Sequence, residues 1–67
     1  MSLSETEWQV LDLLLAADQP LPVAEVVAAI GSTAAVADAL DTLHAAGLVD
    51  RAGVLVFVTK ASRQRKP

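Results

Sequence analysis

Sixty-seven residues, 54% of them apolar, bound one small domain close to the lower size limit for a self-sufficient core. The absence of cysteine excludes disulfides and thiolate metal sites. With no apolar run near the ~18 residues of a membrane span and no basic-then-apolar leader, the expectation is a cytoplasmic protein without a membrane partner. The net charge of −3 conceals a division, because all eight acidic residues precede Arg51 and the five basic ones run from Arg51 onward. Such polarity suits an anionic partner at the C-terminal end and repulsion elsewhere.

The first predicted element opens at Ser4-Glu5-Thr6-Glu7, a Ser-x-x-Glu capping box in which Ser4 and Glu7 exchange side-chain and backbone hydrogen bonds. Leu3 is placed to pack on Trp8 as a staple. The helix runs to about Ala17 and stops before Pro20, which biases its predecessor away from helix. Its apolar arc is wider than one core needs. Trp8, Leu11 and Leu15 share one face, and Val10, Leu13, Leu14 and Ala17 extend it round the cylinder. The surplus predicts a second contact, a dimer seam through Val10 and Leu14.

Leu21 is expected to pair briefly with a later strand, and Pro22 to open a second helix whose inward stripe is Val23, Val26, Val27 and Ile30. Gly31 ends that helix after little more than two turns, too short to persist without packing. Ser32 then caps a third helix, in which Val36, Ala39, Leu40 and Leu43 recur at helical spacing. Gly47 stands where a left-handed residue stops a helix, and Leu48 can fold back over that end. Residues 48–59 read as two strands about an Ala52-Gly53 turn, pairing Val49 with Val56 and Leu48 with Phe57. If Leu48, Leu55 and Phe57 pack inward, Val54, Val56 and Val58 line the opposite face as an exposed row suited to another chain. Residues 1–59 thus form the domain, and 60–67 a flexible basic tail.

The Gly31-Ser32 turn between two helices, followed by Leu43…Gly47-Leu48-Val49…Thr59, resembles a winged helix-turn-helix domain of the kind found in MarR-like and ArsR-like bacterial regulators. The resemblance covers nearly the whole chain. It implies a mainly α fold of three helices with a C-terminal two-stranded β-hairpin as the wing. It further implies a recognition helix over 32–46, double-stranded DNA as partner, a role in transcriptional or phage/plasmid regulation, and a dimer.

Carried onto this chain, the groove-facing positions are Ser32, Thr33, Ala34, Ala35, Ala37, Asp38 and Asp41. They supply no bidentate Arg–guanine or Asn–adenine contact, and two carboxylates stand where phosphates approach. DNA contact is therefore expected from Ser32 and Thr33 at the helix start, from Arg51 at the wing, and from Lys60, Arg63, Arg65 and Lys66 in the tail. The alternative is a winged helix serving as a protein-interaction module, for which the apolar hairpin and the alanine-rich helix face speak. No enzyme, cofactor or metal is expected, since the chain has one histidine, His44, no cysteine and no tyrosine, and its three glycines are isolated at turns.

Overall fold

Local devices fix where each element begins and ends. The computed structural model describes residues 2–60; Ala61–Pro67, with the predicted DNA contacts Arg63, Arg65 and Lys66, lie outside the described residues. Helix α1 (Glu5–Ala17) starts on the complete capping box: Ser4 N–H donates to Glu7 Oε1 at 2.9 Å and Glu7 N–H donates to Ser4 Oγ at 3.2 Å. It stops at Asp18, which takes a left-handed conformation (φ 53°) and donates its N–H to Leu14 O.

Strand β1 (Leu21–Pro22) leads into helix α2 (Val23–Ile30), so Pro22 is the residue before the helix and not its first turn. Gly31 ends α2 at φ 95°. Helix α3 (Thr33–Ala45) follows at once, with Ser32 Oγ accepting from Ala35 N–H at 3.2 Å. Its far end is a Schellman motif: Gly47 (φ 78°) donates to His44 O and Leu48 donates to Leu43 O. Leu48 and Leu43 are both buried, completing the apolar contact that accompanies this cap.

A Cβ at Gly31 would meet nothing within 4 Å, so the backbone alone demands glycine there. A left-handed alanine is unfavourable by roughly 1–2 kcal/mol, partly offset by a less flexible unfolded chain. Gly31→Ala is therefore expected to lower stability by about 1 kcal/mol, a fall in Tm of roughly 4–8 °C for a domain this size. Thermal unfolding followed by circular dichroism measures it.

Strands β2 (Val49–Ala52) and β3 (Leu55–Val58) form a hairpin, and β3 also pairs with β1, giving an antiparallel sheet of order β1-β3-β2. Three helices and this small sheet make the layout of a winged helix-turn-helix. The turn is Gly53-Val54, not Ala52-Gly53. Gly53 holds φ 64° at the first central position, as a type II′ turn requires, and Val54 needs no positive φ. Each β2 residue consequently pairs two positions further along than the sequence suggested: Val49 with Val58, Asp50 with Phe57, Arg51 with Val56 and Ala52 with Leu55.

The core collects Val10, Leu11 and Leu14 from α1, Val26 from α2, and Val36, Ala39, Leu40 and Leu43 from α3. Leu48, Val49, Val56 and Val58 complete it. Two expectations are corrected here. Val56 and Val58 are buried, while Leu55 is exposed and Phe57 half-buried on the outer face. Leu48 is buried, but in the Schellman cap, and so does not set the face of the strand that follows. Val10 and Leu14 likewise lie in the core, whereas Trp8 is 50% and Leu15 37% exposed. The Glu7 side of α1 faces α3, and Val10, Leu11 and Leu14 follow at helical spacing. Leu3 packs on the core.

Candidate nucleic-acid interface

The chain bends by 119° between α2 and α3 across Gly31-Ser32. That angle lies within the helix-turn-helix range and sets α3 crosswise to α2. One side of α3 is spent on the core. The other carries Thr33, Ala34, Ala37, Asp38, Asp41, Thr42 and Ala45, all exposed. Ala35, assigned to this face from the sequence, is half-buried, and together with Asp38 and Ala39 it lines a shallow cleft against Ser4, Thr6 and Glu7 of α1. Asp38 is exposed and borders this cleft together with Glu7. Asp41 is left facing outward.

Ser32 and Thr33 sit together at the start of α3, both exposed. The Ser32 hydroxyl oxygen already accepts from Ala35 N–H, so that part of the helix end is satisfied internally. An incoming phosphate at this end would share or displace the Ser32 cap.

The wing is short. Leu55 and Val56 pair with β1 on one side and with the last two residues of β2 on the other, so the hairpin scarcely outruns the sheet. Its turn is also tethered, because Val23 N–H donates to Val54 O at 2.9 Å. Val54, one of the residues assigned to an interface, is 74% exposed at that turn. Arg51 lies within β2 opposite Val56, short of the tip; its side is that of Val49 and Val58, yet it emerges at the sheet margin and is exposed. Its N–H donates to Asp50 Oδ1 at 2.8 Å. Asp50 also approaches His44 Nε2 at 3.5 Å, a solvent-exposed pair that couples the last turn of α3 to β2.

Lys60 is exposed and emerges beside the end of α3. Thr59 fixes that position: its hydroxyl donates to Gly47 O at 2.6 Å and its N–H donates to Leu48 O at 3.0 Å. Whatever follows Lys60 therefore starts from the C-terminal end of α3. Among the described residues the only Lys or Arg side chains are Arg51 and Lys60, against eight Asp and Glu. Among those residues no three His, Asp or Glu side chains come together as a metal-binding group.

The site residues fall into two groups. Ser32 and Thr33 belong to one end of α3, and Lys60 to the other; Arg51 stands on the neighbouring strand. The half-exposed indole of Trp8, on α1, was not assigned to any surface from the sequence. Its signal was present in the excess width of the α1 apolar arc, but periodicity does not say which part of a wide arc faces in. The chain matches no protein-family model, no curated protein and no solved structure.

Proposed function

We propose that this chain is a DNA-binding winged-helix protein, a small transcriptional or phage/plasmid regulator, holding duplex mainly through its phosphates. One observation carries the reading: α3 follows α2 in a helix-turn-helix and, among the described residues, presents Thr33, Ala34, Ala37, Asp41, Thr42 and Ala45 exposed along one side. That side is smooth, since alanine and threonine dominate it, and so it can lie in a major groove and touch thymine methyls without reading base edges by paired hydrogen bonds. Affinity then comes from Arg51, Lys60 and the cations of 61–67, with Ser32 and Thr33 at the helix start. The extension from winged-helix layout to DNA is by analogy of fold.

If α3 faces duplex, Asp41 is a repulsive charge in the interface. Replacing it with lysine, Asp41→Lys, is expected to tighten binding by roughly three- to tenfold at low salt, an advantage that shrinks as salt screens it. Fluorescence anisotropy with a labelled duplex measures this; unchanged affinity would remove α3 from the interface.

A protein-interaction module is the second reading, and the outer face of the sheet favours it. Val54 and Leu55 are exposed there, Phe57 is half-buried, and among the described residues β2 is an outer strand that a further strand could join. An interaction-only protein would show no duplex binding at any salt concentration.

A further inference from the structure

The far end of α3 is an unfavourable place for phosphate. A helix presents the negative end of its dipole at its C-terminus. Asp41 stands exposed one turn before Ala45, and Asp50 lies 3.5 Å from His44 in the last turn. A duplex laid along α3 meets repulsion there from both carboxylates and from the helix end. Lys60 is the exposed cation that emerges beside this end.

Its place is set by the residue before it. Thr59 follows β3 and is tied to two consecutive residues of the turn after α3. Its hydroxyl donates to Gly47 O at 2.6 Å, and its N–H donates to Leu48 O at 3.0 Å. Gly47 and Leu48 are themselves fixed to the helix, through their N–H bonds to His44 O and Leu43 O. A chain of hydrogen bonds thus runs from the last turn of α3 through Gly47 to Thr59, spanning twelve residues of sequence at its final link. The backbone bond to Leu48 is open to any residue except proline. The bond to Gly47 needs a hydroxyl on Cβ, which Ser and Thr supply and the isosteric Val does not.

We propose that Thr59 is a positioning residue for a phosphate contact made by Lys60: its hydroxyl, anchored on Gly47 O, holds Lys60 at the C-terminal end of α3, where the cation offsets Asp41, Asp50 and the helix end toward an incoming duplex. This rests on the duplex-binding reading and adds to it a residue that touches no phosphate itself. A cation already held in place binds without first losing the freedom of its own backbone, so the hydroxyl acts on affinity through Lys60.

The test compares the full chain with Thr59→Val, Thr59→Ser, Lys60→Gln and Thr59→Val/Lys60→Gln, using a labelled duplex at several salt concentrations. Circular dichroism checks the fold of each. Thr59→Val is expected to weaken binding by roughly three- to tenfold, the cost of ordering the chain on contact, with the salt slope unchanged. Lys60→Gln should lower that slope by about 0.9. Thr59→Ser, which keeps the hydroxyl, should bind like the full chain. In the Lys60→Gln background Thr59→Val should cause no further loss, because the residue it acts through is gone. An equal loss in both backgrounds would mean a general structural effect and would overturn the proposal. Parent affinity in Thr59→Val would overturn it too, while leaving the duplex reading intact. A full chain that binds no duplex would overturn both together. Relaxation of the Lys60 amide, measured without DNA, tests the anchor separately: its order parameter should fall in Thr59→Val and hold in Thr59→Ser. Equal order in all three proteins would remove Thr59 as the anchor, whatever the duplex does.

Discussion

Val56→Glu is expected to unfold this domain, and Phe57→Glu to leave it folded. Val56 is fully buried at the middle of β3, paired with Leu21 on one side and Arg51 on the other, and grouped with Val49 and Val58 in the core. A carboxylate there is enclosed with Val49 and Val58, and the neighbouring cation, Arg51 on the opposing strand, is exposed at the sheet margin. Leaving a charge buried and unpaired costs several kcal/mol, and the burial of the valine side chain, about 1.5–3 kcal/mol, is lost with it. A domain of this length has a total stability of roughly 3–10 kcal/mol at typical values per residue. The substitution consumes most or all of that. Phe57 lies on the outer face and is half-buried, so a glutamate there remains in water and removes only partial contacts. Its expected effect is about 1 kcal/mol or less. Circular dichroism and urea unfolding of the two variants distinguish these outcomes. A folded Val56→Glu protein would mean that the sheet presents its other face to the core.

The same strand shows how far residue order reaches. That residues 48–59 fold as a hairpin, that α3 buries Val36, Leu40 and Leu43, and that Ser4, Ser32, Gly31 and Gly47 mark helix ends all follow from local rules. Each depends on neighbours within four or five positions: a hydroxyl with an N–H three residues on, or a glycine able to take positive φ. The inward face of β3 does not depend on neighbours so close. Leu55 and Phe57 are as apolar as Val56 and Val58, and alternation alone gives two equal answers. What decides between them is which face of the sheet meets Val10, Leu11 and Leu14 of α1, and this is a property of the assembled layers. Helix α1 posed the same ambiguity, with an apolar arc so wide that Trp8 and Val10 were both plausible core residues. In each case the aromatic stayed nearer the surface, with one leucine beside it: Leu55 next to Phe57, and Leu15 on the side of Trp8.

The candidate interface was legible in part. The division of charge about Arg51 is visible in the sequence, as is the absence of base-reading side chains on α3. The shortness of the wing is not, because it arises from β1 pairing with the same two β3 residues that close the hairpin. That pairing, with the Val23–Val54 hydrogen bond, keeps the turn against α2. Contact through a long projecting wing is accordingly no part of the proposed binding mode, and the burden falls on Arg51, on Lys60 near the C-terminal end of α3, and on the cations beyond it.

The most direct measurement of that claim is duplex affinity against salt concentration for the full chain and for a chain stopped after Lys60. Each phosphate neutralised contributes about 0.9 to the slope of log affinity on log salt. The full chain carries five Lys and Arg residues. Raising salt from ~50 to ~200 mM should then weaken its binding by roughly 500-fold if all five engage phosphates. The shortened chain retains Arg51 and Lys60. Two cations correspond to a loss of only about tenfold over the same range, from a weaker starting affinity. A steep slope that flattens on removal of residues 61–67 is the predicted result. Equal slopes for the two chains, or no duplex binding at the lowest salt, would contradict it.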